Sequence, residues 1–464
     1  MSSSKFITVR PDNVSPDASI SFKAGFPVLK FTIQSQAGFL DPRSIRINGD
    51  LLVFADAART PVYSDDTTGG GKSPINMDNR LGIFAMWEQL LIRHGKSKAV
   101  CEHIRHYNRY MQTYLALTSS KQDLLGHLNQ ACLIEPNEEA MFRNIVASGT
   151  AAEASAGIKK SFSCHLPSGF IMSGNVINLM ETSFGGIEIE LHLSPDSNCL
   201  FTRDGQTTGV ANAFYELSNL SLSCEVQDIP PSFMEEAQKQ TSGALEFNTI
   251  TSLYTSIQTS NAQLQYTLGL KNLQSCFVTF VPSDHINTLS ANGLATTYPA
   301  QRDAARSPVK FRKVQWLKGG SKYPVDFDVV GTTQSPGNAG INRLEFTTSD
   351  SQLNRQFIEA VVPEYADDRV AMSKLTSSRD YGMVDTQVNT GYKQVADGGA
   401  VFGLGMRYSK FNLGQDFSRE QWGLSLESNL GEVAGAAGLA QSVFMYFKAK
   451  AVLVYGPNGV QMVQ

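Results

Sequence analysis

The sequence predicts an all-β chain of two consecutive sandwiches of the jelly-roll type, and three observations predict it. Apolar and polar residues alternate strictly through many stretches of the 464-residue chain, which puts apolar side chains on one sheet face and polar ones on the other. Gly, Pro, Asn and Ser clusters punctuate these stretches, as turns between strands require. The order of strong segments in the first half is met again in the second, the pattern of an internal repeat. All-β segments with such punctuation build sandwiches.

Near the start, Leu29, Phe31 and Ile33 alternate with Lys30 and Thr32. Ile45 and Ile47 then lead into Asn48-Gly49 before Leu51 to Phe54. An Asn-Gly pair between apolar runs predicts a hairpin, because both residues tolerate the positive φ of a type I′ turn. Residues 81–148 interrupt the β pattern and predict a helical insertion. There Ile83, Trp87, Leu90 and Leu91 recur at helical spacing, with Gly95 as a stop, and Val100, Ile104, Tyr107, Met111, Tyr114 and Leu115 mark a second helix. Ser120 with Asp123 reads as the cap of a third helix around Leu124, Leu125 and Leu128, and Asn137 as that of a fourth through Met141, Phe142, Ile145 and Val146. The small-residue loop GTAAEASAGIKK returns the chain to a strand around Phe162 to Leu166. The two clearest strands follow. Ile187, Ile189, Leu191 and Leu193 interleave with Glu188, Glu190 and His192, and Leu220, Leu222, Cys224 and Val226 with Ser221, Ser223 and Glu225. Both predict one wet face.

The β pattern ends at Asp228. Pro230 and Pro231 punctuate, and Ser232 to Glu235 reads as a capping box that opens a short helix, FMEEAQKQ. The expected division is an N-terminal sandwich over 1–230 carrying the insertion 81–148, a linker helix over 231–244 and a C-terminal sandwich over 245–464. In the second, Leu264, Tyr266, Leu268 and Leu270 alternate and the early strands run to Pro282. Further strands lie at Lys310 to Trp316 and Val325 to Val330, with a short helix near Leu353 to Ile358. GGIEIELHL followed by YELSNLSLSCEV in the first half is answered by QWGLSLESNL followed by VFMYFKAKAVLVY in the second. The loops GTTQSPGNAGIN at 331–342 and GEVAGAAGLA at 431–440 belong on an exposed end of a sandwich.

Composition narrows the function. Lys plus Arg total 39 against 43 Asp plus Glu, giving a net charge of -4 without a basic tail, so wrapping of nucleic acid by phosphate neutralisation is not the main activity. The charged fraction of 18% is low beside a hydrophobic fraction of 42%, which suits a chain that hides surface against copies of itself. The start, MSSSKFITVRPDN, has no apolar h-region, and no stretch approaches the roughly 18 apolar residues of a membrane span. A soluble chain made in the cytosol is expected. Cys101, Cys132, Cys164, Cys199, Cys224 and Cys276 are scattered without a C-x-x-C pair, which predicts reduced, mostly buried thiols.

Motifs that could carry chemistry fail one by one. TGGGKS at 68–73 lacks the leading glycine of a phosphate-binding loop, since Asp66 stands there, and Pro74 follows it. Cys101, His103 and His106 form C-x-H-x-x-H, with both histidines on one predicted helix face, but no further Cys or His cluster completes a zinc site. GLGMRY at 403–408 lacks the third glycine of a dinucleotide fingerprint and reads as strand or turn. Ser168 beside His165 has no acidic partner for acyl transfer. Asp65-Asp66, Asp326 with Asp328, and Asp367-Asp368 are carboxylate pairs of the kind a glycan-cleaving enzyme needs, but Trp87, Trp316 and Trp422 supply no sugar platform. Asn219-Leu220-Ser221 is a glycosylation sequon inside a predicted strand and should be unmodified. The expectation is a non-enzyme with no catalytic, cofactor-binding or metal-ligating residues and no cofactor.

FGGIEIELHLSPDSNCLF, FYELSNLSLSCEVQDIPP, SKYPVDFDVV and the C-terminal AVLVYGPNGVQMVQ, in that order, resemble the double jelly-roll major capsid proteins of eukaryotic DNA viruses. The character is nearest to those of polinton-like viruses and virophages, and the resemblance spans nearly the whole chain. It implies two eight-stranded jelly rolls side by side and perpendicular to a shell, with a helical insertion in the first. It also implies a hexon-like homotrimer that forms a pseudo-hexagonal capsomer and tiles an icosahedral capsid around double-stranded DNA. Two similar domains in one chain give a trimer six roughly equivalent corners. The implied partners are the chain itself, neighbouring capsomers, and penton and minor capsid proteins, without specific nucleic-acid recognition. The implied location is the virion, after synthesis in the host cytoplasm. Strand edges and sandwich flanks would make trimer contacts, the insertion and the second-half loops would face outward or join capsomers, and the termini would meet the inner face or neighbouring capsomers. Two alternatives stay open: a minor capsid or penton protein, which has a single jelly roll, and a receptor- or glycan-binding jelly roll with a defined pocket.

Overall fold

The computed structural model describes residues 4–22, 25, 27–54, 58–59, 75–77, 81–119, 123, 126–134, 159–180, 184–202, 213–233, 235, 244–282, 311–323, 329–330, 348–361, 403–409, 413–428, 441–456 and 459–463. The expectations for TGGGKS, the three Asp pairs, the fourth helix, most of the linker helix FMEEAQKQ, residues 325–328 of the strand to Val330 and the loops at 331–342 and 431–440 lie outside these residues.

The first half supplies β1 (Ser4–Val9), β2 (Val28–Ile33), β3 (Gly38–Phe54), β4 (Ile75–Met77), β5 (Trp87–His94), β6 (Val100–Arg105), β7 (Lys160–His165), β8 (Ile177–Asn178), β9 (Ile187–Leu193), β10 (Leu200–Thr202) and β11 (Phe214–Asp228). The second supplies β12 (Ala244–Ile257), β13 (Asn261–Tyr266), β14 (Leu273–Pro282), β15 (Phe311–Lys318), β16 (Ser321–Lys322), β17 (Val329–Val330), β18 (Gly403–Arg407), β19 (Trp422–Ser428), β20 (Gln441–Gly456) and β21 (Gly459–Val463). The helices used below are α1 (Tyr107–Thr118), α2 (His127–Cys132), α3 (Gly169–Met172), α4 (Asp196–Cys199) and α5 (Thr348–Val361).

Pairing deals these strands alternately to two layers. In the first half one sheet runs β1-β11-β3-β7 and the other β2-β9-β5-β6. In the second half one runs β12-β20-β14-β18 and the other β13-β19-β15-β16, with β17 also on β15. Each half therefore follows the same plan. Of its eight principal strands, numbered along the chain, the first, eighth, third and sixth share one sheet and the second, seventh, fourth and fifth share the other. This is the jelly-roll order.

The two rolls share a layer. β6 lies parallel to β12, with His103 paired to Thr251, so the inner sheets of both halves join in one sheet of nine strands among the described residues. One row of cross-strand partners traverses it: Met406, Cys276, Phe447, Thr251, His103, Leu91, Glu190 and Lys30. Among the described residues one continuous apolar cluster from Ile20 to Leu453 runs through both halves, and a small second one holds Met180 and Ile229.

Three sequence expectations change here. Asn48-Gly49 makes no hairpin turn, because both residues lie inside the 17-residue strand β3. Gly49 faces a β-bulge between Ser218 and Ser221 of β11, and a Cβ on it would come within 2.8 Å of Leu220 and 2.9 Å of Phe162. The glycine permits close approach of neighbouring strands and supplies no positive φ. Gly49→Val is accordingly expected to destabilise the protein by about 1–3 kcal/mol through overpacking, measured as a lower urea midpoint at unchanged slope.

The helices expected at 83–94 and from Val100 are, respectively, a short 3₁₀ turn (Gly82–Met86) followed by β5, and the strand β6. β5 is buried on both faces at Leu90, Leu91 and Ile92 and is shifted in register between Trp87 and Gln89. Burial on both sides erases alternation, and the bulge resets what remains. The helical spacing was real only from Tyr107 onward, where α1 begins after His106 at φ 53°. Of the expected third helix, Leu124 and Leu125 lie outside the described residues, Asp123 is helical and Leu128 lies in α2, and β13 ends at Tyr266, before Leu268 and Leu270.

The third change concerns the wet face of β9. Glu188 is 1% exposed. The other expected strands stand as read: β2, β7, β11, β19 and β20, and α5 spans the expected Leu353 to Ile358.

Candidate functional site at the seam between the two rolls

The seam is built by the segments VCEHIRH (100–106) and FNTITSLY (247–254). Backbone and side chains interlock along it. The Thr249 hydroxyl donates to the Cys101 carbonyl at 3.1 Å, the Arg105 N–H donates to Ser252 Oγ at 2.7 Å, and the Tyr446 hydroxyl donates to the His106 carbonyl at 2.8 Å. Asn175 Nδ2 donates to the Glu246 carbonyl.

Glu102 is the centre of this arrangement. It lies on β6 and is 1% exposed. Its Oε1 accepts the N–H groups of Ile250 in the second roll at 2.8 Å and Gly169 at 3.0 Å, and its Oε2 accepts that of Phe170 at 3.0 Å. Gly169 and Phe170 open α3, whose Ser168 cap accepts the Ile171 N–H at 3.2 Å. Burial pushes the Glu102 carboxyl up to about 7, against hydrogen bonds from Ser168, Phe170, Ile250 and Gly169 that favour its ionised form. Gly169 is required by proximity: a Cβ there would meet Glu102 Oε1 at 2.8 Å and the Asn248 backbone at 3.1 Å. Phe170 packs edge-on to Phe247 with ring centroids 5.0 Å apart. A carboxylate thus ties β6, α3 and β12 together.

α1 closes the seam. Tyr110 lies 5.7 Å from Tyr446 and 6.2 Å from Phe277, ring to ring, so a helix of the first half rests on the shared layer of the second. Tyr107, Tyr110, Met111 and Leu115 are all buried. The outward position expected for the insertion is therefore corrected for α1, which serves as a clasp between rolls.

A second charged cluster pins the outer edge of the layer. Glu188 binds Lys98 at 2.7 Å, Lys30 at 3.1 Å and Arg93 at 3.1 Å, and Arg93 also binds Glu190 at 2.8 Å. Burial raises the Glu188 carboxyl, but hydrogen bonds from Lys98, Lys30 and Arg93, with the charge of Lys98, outweigh it and hold it at about 2. A carboxyl depressed on folding stabilises fully above its ordinary range near 4.5 and loses that contribution as pH falls toward 2. Urea melts at pH 7, 4 and 3 are expected to show wild type losing more stability on acidification than Glu188→Gln. Parallel loss in both proteins would refute this role.

The residues tested for chemistry do not converge. Cys101 and His103 sit on β6, not on a helix, His103 Nε2 pairs with Gln89 Oε1 at 3.0 Å, and His106 Nδ1 pairs with Glu88 Oε1 at 2.5 Å. Burial pushes the Cys101 thiol up to about 12. Among the described residues no group of His, Cys, Asp or Glu is placed to hold a metal. Ser168 caps α3, GLGMRY begins as the strand β18, and Trp87, Trp316 and Trp422 are all fully buried. All six cysteines are unpaired and buried. Asn219 stands exposed at the β11 bulge with φ 51° and donates to Asp50 Oδ2 at 2.5 Å. No described helix is long and apolar enough to cross a membrane. Glu102 escaped the sequence reading, although it shares strand parity with Ile104, an anomalous carboxylate on an apolar face.

No protein-family model matches the sequence, and no curated protein does. Solved structures match over the full fold. The Faustovirus major capsid protein is 10% identical with a TM-score of 0.56, covering 98% of this chain and 90% of that one. The PBCV-1 virus capsid is 10% identical with a TM-score of 0.54, covering 100% and 97%. A chain of the Sputnik virophage is 9% identical with a TM-score of 0.54, covering 99% and 88%. At such identity the likeness is one of fold, and the fold is the double jelly roll that these viral capsid chains share.

Proposed function

We propose that this chain is a structural major capsid protein whose homotrimers form pseudo-hexagonal capsomers and tile an icosahedral shell around a double-stranded DNA genome. The observation that carries this reading is the fusion of two jelly rolls through one hydrogen-bonded layer. Two similar lobes held at a fixed angle give three copies six corners, and a six-cornered unit packs on a hexagonal lattice. Residues 231–244 serve as the link between the lobes.

Surface features support assembly. Phe6 is 79% exposed on the sheet-edge strand β1, and Leu413 is 72% exposed. Open edges and large exposed apolar side chains invite pairing with another chain, and closed tiling covers them. The chain works by contact and not by turnover. Its partners are copies of itself, neighbouring capsomers, and penton and minor capsid proteins, and its location is the virion after synthesis in the host cytoplasm.

The test is the solution mass of the purified chain by light scattering, with negative-stain imaging of the species found. The expected result is a stable particle of three 50.6 kDa chains with a hexagonal outline. A ligand-binding monomer or dimer of elongated sandwiches would overturn the proposal and favour a receptor- or glycan-binding role.

A further inference from the structure

At one end of the seam a half-open cleft of about 430 Å³ lies between the first turn of α1, strand β5 and the second roll. Arg109 lines it and is only 6% exposed. Its backbone N–H is used by the His106 carbonyl and Asn108 Oδ1. Among the described residues its guanidinium has neither an ion pair nor a hydrogen bond.

The one carboxylate in the cleft lining is already committed. Glu88 Oε1 pairs with His106 Nδ1, and its Oε2 accepts from Asn108 Nδ2 and Ser194 Oγ, each at 3.2 Å. A guanidinium offers five N–H donors in a planar fork, and that of Arg109 faces the cleft with no acceptor among the described residues, so its donors stand ready for an anion that enters from solvent. The helix end adds to this. α1 has twelve residues, no side-chain cap and no acidic residue in its first turn, and the positive end of its dipole opens on the same space. The opposite wall is Tyr254 and Phe444 of the second roll.

We propose that this cleft binds a single oxyanion group, a carboxylate or a phosphate, in the guanidinium fork of Arg109 at the N-terminus of α1. The planar fork matches two oxygens of such a group bidentately. Lining from both rolls means that an occupant bridges them. Two sources share this chemistry: a free oxyanion, or an Asp or Glu side chain of a neighbouring copy. The inference rests on the cleft alone and stands whether or not the chain forms shells.

The test uses the full purified chain and inorganic phosphate as probe, exchanged for chloride at constant ionic strength. For a free oxyanion, phosphate raises the melting temperature of wild type saturably, Arg109→Gln abolishes the rise, and Arg109→Lys, which keeps charge but loses the fork, weakens binding roughly tenfold. Crystals of wild type soaked in selenate then show an anomalous peak within hydrogen-bond reach of Arg109. For a neighbour's carboxylate, phosphate has no such effect, the wild-type assembly shows that carboxylate in the cleft, and Arg109→Gln loses the contact between copies. If Arg109→Gln does not fold, the selenate peak and Arg109→Lys decide. A cleft that holds neither selenate nor a neighbour's carboxylate, with a melting temperature indifferent to phosphate, overturns the proposal.

Discussion

Glu102→Ala is expected to destabilise the chain by roughly 3–5 kcal/mol, because it strands three buried backbone N–H groups at once. Those donors belong to Gly169, Phe170 and Ile250, two on one side of the seam and one on the other. The loss is therefore larger than that of a surface carboxylate and acts on the angle between the rolls. Glu102→Gln keeps one acceptor oxygen and should lose less, while its amide opposes one N–H with another. Urea unfolding ranks the three proteins, and light scattering shows whether the variants still assemble. Stability of Glu102→Ala within 1 kcal/mol of wild type, a margin about the size of one net hydrogen bond, would remove Glu102 from its central place.

The same residue gives a pH signature opposite to that of Glu188. The Glu102 carboxyl is raised from 4.5 to about 7 on folding, so the folded state holds a proton that the unfolded state has released. Its contribution to stability is full below about 4.5 and falls as pH rises to about 7. Glu188 contributes in the reverse sense on the acid side. Between the two, stability is expected to pass through a broad maximum in weakly acidic solution. In Glu102→Gln the decline toward neutrality should flatten.

Much of the fold was legible in the sequence because a strand with one covered face prints its exposure on every second residue. Leu220 to Val226 in β11 and Leu29 to Ile33 in β2 are read this way. Legibility failed wherever a second layer changed that rule. β5 lies beneath α1 and within the shared layer, so Leu90, Leu91 and Ile92 are all buried and mimic a helix. Asn48-Gly49 carries the strongest local turn signal in the chain, yet the glycine is there because Leu220 and Phe162 approach it across neighbouring strands. Tertiary contact overrode local propensity at both places. The seam was the least legible element. Glu102 has meaning only once β12 lies against β6 and Arg109 only once Tyr254 and Phe444 of the second roll close its cleft, contacts between segments distant in the chain, 148 residues apart for Glu102 and Ile250, that no local window contains.

Trp422→Ala should produce a loss of comparable size from a different source, roughly 3–5 kcal/mol of lost packing and cavity. Trp422 opens β19 and is fully buried. Its ring meets Phe447 of the shared layer edge-on at 4.9 Å and lies 5.9 Å from Trp316 and 6.4 Å from Tyr266. Its Nε1 donates to the Tyr408 hydroxyl at 3.0 Å. Trp422→Phe keeps most of the ring contact and loses the hydrogen bond, so about 1–2 kcal/mol is expected for it. The position also reports on cooperativity. Phe447 pairs with Thr251, and Thr251 with His103 of the first roll, so the core under Trp422 and the seam belong to one sheet. Calorimetry of Trp422→Ala should then show one transition at lower temperature, with both rolls melting together. Two separated transitions would mean that the shared layer does not couple the rolls, and the fixed angle on which six-cornered packing depends would have to come from contacts between copies.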